Sequence, residues 1–186
     1  MEIDALTAGV KPGGLTNREQ IKILICYILK EVAEPVPADD IKEMLHFEGI
    51  ANYFEVSYLM SELEKYGNIK GIVKEETFCY IVTDKGLDTA TELQNRVPHT
   101  IKQFSVKQIK KILLRKIYEK ENIVKIEPVD NSFIVSFSVM ESNKELLTVR
   151  IPAPDEACAT KIKEMFLNDP VNIYARITEI ITGNLE

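Results

Sequence analysis

The sequence predicts an α+β chain in two units: three short helices closed by a two-stranded hairpin, then a smaller α+β unit with a three-stranded antiparallel sheet and helices. Three observations predict it. Apolar residues recur at the helical period from Ile21 to Leu63. The period changes from 3.6 to 2 at residue 69. Within 132–140, Phe133, Val135, Phe137 and Val139 alternate onto one face, the pattern of a half-buried antiparallel strand.

Residues 1–15, with Pro12-Gly13-Gly14, carry no apolar period and are expected to form a flexible N-terminal arm. Thr16-Asn17-Arg18-Glu19 has the form of a capping box, in which a hydroxyl and a carboxylate satisfy exposed backbone donors. Ile21, Leu24, Ile25, Ile28, Leu29 and Val32 then make the stripe of an amphipathic helix that Pro35 and Pro37 end. Asp39 and Asp40 suit the start of a second helix, with Ile41 and Leu45 inward and Gly49 as its breaker. Asn52 and Glu55 read as the cap of a third helix, with Val56, Leu59, Met60 and Leu63 inward and Gly67 at its stop.

Two strands follow, 69–74 and 77–83, around Glu75-Glu76, with Phe78, Tyr80 and Val82 expected over the helical core. Thr83-Asp84-Lys85-Gly86 leads into a fourth helix, through about Arg96, that Pro98 stops. Helix–helix–turn–helix followed at once by a hairpin is the winged helix-turn-helix arrangement, expected over 16–97. The second unit, 98–186, opens with a helix over 99–120. Strands near 122–127, 132–140 and 145–151 follow, with turn chemistry at Asp130-Asn131 and Ser142-Asn143. Helices near 155–168 and 170–182 close the chain, Asp169-Pro170 starting the last.

Composition narrows the function classes. The 186 residues are 45% apolar and 28% charged, which suits a folded globular chain. No run approaches a membrane span, and Glu2 and Asp4 argue against a secretory signal, so a cytoplasmic protein is expected. Cys26, Cys79 and Cys158 lack CxxC spacing and read as reduced structural thiols, not metal ligands. The net charge of −6 argues against indiscriminate coating of nucleic acid. It is unevenly divided: residues 1–97 hold 10 Lys/Arg against 17 Asp/Glu, residues 98–186 hold 13 against 12.

The segments GVKPGGLTN (9–17), IKILICYIL (21–29), NYFEVSYLMSEL (52–63), YIVTDKG (80–86) and FLNDPVNIY (166–174) carry a resemblance over nearly the full length. The chain resembles an uncharacterised bacterial family that joins a winged-helix domain of PadR or MarR kind to a C-terminal α+β part. That resemblance implies the fold and a role in binding DNA for transcription regulation. It implies no operator and no effector.

In such domains the third helix enters the major groove while the hairpin touches backbone or minor groove. The face expected to read DNA holds Asn52, Tyr53, Ser57, Tyr58, Ser61 and Lys65, beside Glu62, with Lys70 and Lys74 on the wing. Glu55, Glu62, Glu64, Glu75 and Glu76 oppose a polyanion there, so a single copy should bind weakly. A homodimer on double-stranded DNA answers this through effective concentration. The strongest positive field lies on the helix over 99–120, where Lys107, Lys110, Lys111 and Arg115 gather opposite Val106, Ile109, Leu113 and Ile117. Those cations have three possible counterparts: DNA, another domain or subunit, or solvent.

No nucleophile and base stand in an orienting pattern, and no phosphate loop or dinucleotide fingerprint is present. His46 and His99 are isolated. No enzyme activity, cofactor or metal is therefore expected. The competing expectation is an acidic winged-helix module that binds a protein partner within a larger assembly; a small-molecule effector for the second unit stays open.

Overall fold

A computed structural model describes residues 8–142 and 144–183. Among them the chain is α+β, with seven α-helices and two three-stranded antiparallel sheets. It divides into two compact units, Met1–Ile112 and Leu113–Glu186.

The first unit contains α1 (Arg18–Val32), β1 (Val36–Pro37), α2 (Ala38–Phe47), α3 (Tyr53–Lys65), β2 (Ile69–Lys74), β3 (Thr77–Val82) and α4 (Asp84–Glu92). A single 3-10 turn, Gln94–Arg96, and the first turns of α5 (His99–Glu121) complete it. Helix α1 is the centre: Ile21 and every residue from Ile23 to Leu29 are buried, so it is apolar nearly all round. Burial pushes the Cys26 thiol up to about 12. The N-cap of α1 is Asn17, whose side chain accepts from Glu19 and Gln20 N–H, rather than Thr16 of the expected box. Ile41 and Leu45 of α2, and Val56, Leu59, Met60 and Leu63 of α3, face inward as the helical period predicts.

The sheet of this unit runs β1-β3-β2. Strand β1 was hidden in the sequence, because Val36-Pro37, preceded by Pro35, read only as the end of α1. Val36 pairs with Tyr80 and Pro37 with Cys79, which makes β3 the central strand. That changes its burial: Cys79 and Tyr80 are both buried and Phe78 is exposed, where strict alternation put Phe78 and Tyr80 inward together.

The expected flexible arm is half corrected; its first seven residues lie outside the described ones. From Ala8 on, Lys11 N–H donates to the Gly49 carbonyl, Leu15 N–H donates to that of Ile50, and Leu15 is buried. The segment thus lines the α2–α3 turn. The TDKG run ties α3 to α4. The Thr83 hydroxyl lies 2.7 Å from the Gly67 carbonyl and also accepts from Gly86 N–H. A Cβ at Gly86 would stand 2.1 Å from the Asn68 carbonyl oxygen, so only glycine fits there.

In α5 the sequence stripe is corrected as well. The residues it buries are Lys102, Ser105 and Ile109, whereas Ile117 is exposed and Val106 and Leu113 half-buried. Lys102 lays its stem inward and holds its ammonium 4.9 Å over the Tyr27 ring, which a polarity pattern reads as an outward cation. These contacts carry the first unit on to Ile112, beyond the boundary that Pro98 suggested.

The second unit contains the end of α5, β4 (Ile123–Val129), β5 (Ser132–Glu141), β6 (Lys144–Ala153), α6 (Glu156–Asn168) and α7 (Pro170–Thr182). Its sheet runs β4-β5-β6 with β5 central, and the register shifts between Val139 and Met140. Val135, Phe137 and Val139 point to α6, where Ala159, Phe166 and Leu167 meet them. Phe137 and Phe166 stack at 4.4 Å. Asp155 caps α6, and Asp169 caps α7 by accepting from Asn172 N–H, with Pro170 in the first turn. Asn143 of the expected Ser142-Asn143 turn lies outside the described residues.

Candidate functional site

The surface to be judged is the outward flank of α3 with the hairpin beside it. At 100° per residue, Phe54, Tyr58, Ser61 and Lys65 fall opposite Val56, Leu59, Met60 and Leu63. All four are exposed: 79% for Phe54 and 52% for Tyr58. Ser57 and Tyr53 are half-buried at its margin.

Asn52 does not belong to this surface. It is 6% exposed, its side-chain oxygen accepts from Phe54 and Glu55 N–H, and its amide donates to the Ala8 carbonyl at 2.8 Å. Capping uses the same amide that sequence reasoning assigned to base edges. The Ser61 hydroxyl donates to the Ser57 carbonyl, and the Tyr58 hydroxyl donates to Glu62 at 3.2 Å.

The carboxylates on this helix are largely answered. Glu55 is buried and accepts from the Arg18 guanidinium at 2.6 Å; that hydrogen bond raises the Arg18 pKa further. The Arg18 guanidinium carbon also lies 5.4 Å from the Tyr58 ring centroid. Lys22 reaches Glu62 at 3.2 Å and Glu19 at 3.3 Å, and its hydrogen bond holds Glu62 below the usual carboxylate range. Two of the five opposing carboxylates are thus paired with cations of α1 that sequence spacing could not bring together. Arg18, with half its side chain exposed, joins the surface as a cation the sequence reading missed.

On the wing side, Glu64 accepts from Gly71 N–H at 3.1 Å and from the Tyr80 hydroxyl at 3.0 Å. Burial first, and then this carboxylate, push the Tyr80 hydroxyl up to about 12. The contact fixes β2 alongside α3 and occupies a donor of an edge strand that would otherwise be open to pairing. Lys70 and Lys74 are exposed and lie two residues either side of Ile72, on one face of β2. The tip, Glu75-Glu76, has φ of 47° and 64°, a two-residue turn in the left-handed region.

An aromatic run adjoins this flank, with Phe47 and Phe54 exposed at its ends and His46 and Tyr53 half-buried between them. Rings run from Phe47 to His46 (5.6 Å), His46 to Tyr53 (6.2 Å) and Tyr53 to Phe54 (5.7 Å). Phe47 is 73% exposed. Sequence reasoning did not name Phe54; its angle on the helix, opposite the inward set, was the signal that could have found it.

The basic cluster of α5 is divided. Lys107, Lys110 and Lys111 are exposed, whereas Arg115 binds Glu119 at 3.0 Å and Glu164 of α6, and donates to Asn168. Arg115 therefore ties α5 to α6 within the second unit and is not an open cation. That unit also has a cleft of about 510 Å³ lined by Glu119, Asn122, Ile123, Val124, Lys163 and Leu167. Among the described residues no group of three or more His, Cys, Asp or Glu is placed to hold a metal, and no helix is long and apolar enough to cross a membrane.

The chain belongs to the family described as "Domain of unknown function (DUF4364)", whose model matches residues 21–181. No curated protein and no solved structure matches it.

Proposed function

We propose that this member of the family is a transcription regulator whose first unit is a winged helix-turn-helix domain. In this reading α3 enters the major groove of double-stranded DNA while β2 and β3 form the wing. The observation that carries it is the uncovered stripe Phe54, Tyr58, Ser61 and Lys65 on the last of three packed helices, with a hairpin held against that helix through Glu64. Tyr53 and Ser57 border the groove-facing stripe, Lys65, Lys70 and Lys74 meet phosphate, and Arg18 adds a cation from α1. Pairing of Glu55 with Arg18 and Glu62 with Lys22 lowers the repulsion that the sequence alone implied.

The regulator works as a homodimer, because a surface with so few open cations needs two linked sites. The second unit supplies the partner surface: Val171, Ile180 and Ile181 of α7 are exposed apolar side chains. The cleft of about 510 Å³ is large enough for a small effector. A second reading, an acidic module that docks a protein partner, is favoured by one feature, the acidic wing tip Glu75-Glu76.

Titration of labelled genomic duplexes at low and moderate salt separates the two. The regulator binds at low salt with affinity falling steeply as salt rises. Changing Lys65, Lys70 and Lys74 to Gln lowers the salt slope by about one for each phosphate no longer neutralised. Absence of duplex affinity at low salt contradicts the regulator reading.

A further inference from the structure

We infer that Phe54 reads thymine, its ring meeting the 5-methyl group in the major groove, so that the duplexes this chain selects are rich in A·T pairs at that contact. The inference rests on the DNA-binding reading above and names the base that reading leaves open.

Position comes first. Phe54 is the second residue of α3, and a groove-reading helix makes its base contacts from its N-terminal residues. Its direction is about 170° from the mean of the four inward residues, in line with Ser61 and Lys65. At 79% exposed, the ring is left largely bare by its own unit. It is nonetheless held: Tyr53 meets it edge to face at 5.7 Å, and His46 supports Tyr53 in turn.

The remaining chemistry of the stripe decides what such a ring can read. Bidentate recognition of adenine needs Asn or Gln, and that of guanine needs Arg or Lys. The one lysine of α3, Lys65, stands in its last turn, where the reading above sets it against phosphate, away from the N-terminal residues that reach bases. The amide of Asn52 is engaged on both ends, and no Arg, Gln or further Asn stands on α3. Tyr58 and Ser61 already donate to Glu62 and to the Ser57 carbonyl. Of the major-groove features that distinguish bases, the thymine methyl is the one an apolar ring matches. Burying it also removes from water an aromatic side chain that this unit leaves bare.

The test selects duplexes from a random pool with the full chain, then remakes the bound sequence with deoxyuridine at each thymidine. One thymine position should weaken binding about fourfold when its methyl is removed, the effect of one buried carbon group. Phe54→Ala should bind the thymine and uracil forms alike, and Phe54→Leu should keep part of the discrimination. Because Phe54 is exposed, both variants should keep the wild-type melting temperature. Enriched duplexes that bind equally with uracil at every position overturn the thymine assignment while leaving DNA binding intact. Uracil sensitivity that persists in Phe54→Ala overturns the role of this residue. A pool from which nothing is enriched, with Phe54 instead protected by a bound protein, overturns both this inference and the regulator reading.

Discussion

The two units of the chain close their cores differently. In the first, α1 is sealed nearly all round and the sheet and helices leave few core positions half open. In the second, the buried apolar set is short: Val135, Phe137, Val139, Ala153, Ala159, Phe166 and Leu167, and α7 buries only Pro170 while Ile180 and Ile181 are bare. Both were built from ordinary amphipathic patterns. What differs is whether the chain itself supplies the covering layer. The first unit covers its own core and leaves one stripe of α3 bare; the second leaves apolar side chains of α7 bare, the surface that the proposed homodimer would cover.

The largest expected effect falls where the thin core has least to lose. Phe166→Ala removes the ring stacked on Phe137 and should destabilise the second unit by about 3–5 kcal/mol, read as a new early transition in denaturant unfolding. Leu59→Ala, at a fully buried position of α3, should cost about 2–5 kcal/mol in the first unit. Equal loss of both units in either variant would break the comparison.

A smaller effect is pH-dependent. Tyr80 is neutral in the folded chain up to about 12, against 10.0 in the unfolded chain. The unfolded state therefore loses its proton first as pH rises. Stability is fully present below 10 and falls between 10 and 12, by up to about 2–3 kcal/mol. Tyr80→Phe should remove that part of the alkaline slope in chemical denaturation. Asn52→Ala should cost about 1 kcal/mol through loss of the cap, and DNA affinity measured well below the melting temperature should hardly change. The smallest effect on folding sharpens the comparison most. Ile181→Glu, at a 75% exposed position, should alter unfolding by less than about 0.5 kcal/mol yet turn a dimer into a monomer in light scattering.

Local chemistry made much of this fold legible. The inward sets of α2 and α3, the hairpin 69–74 with 77–82, the alternating strand β5 and the Asp169-Pro170 helix start all follow from period and capping. Three of the misses share a cause, since each is decided by a partner far along the chain. Strand β1 exists because β3 accepts it, Lys102 turns inward because Tyr27 offers a ring face, and Arg115 is engaged because Glu164 lies within reach. The candidate site was half legible. Tyr58, Ser61 and Lys65 stand where the helical wheel puts them, Asn52 was claimed by its own cap, and Phe54 was left unnamed although the same wheel puts it on that face.

The regulation proposed for this domain requires that the exposed flank of α3 face duplex DNA. Replacing Ser61 with the photo-crosslinking residue p-benzoyl-phenylalanine and irradiating the full chain with labelled duplex at low salt tests that placement. A covalent protein–DNA adduct is expected from position 61 and none from the same group at Thr91, an exposed position on α4. Adducts from neither position, or equally from both, would mean that this flank does not meet the duplex.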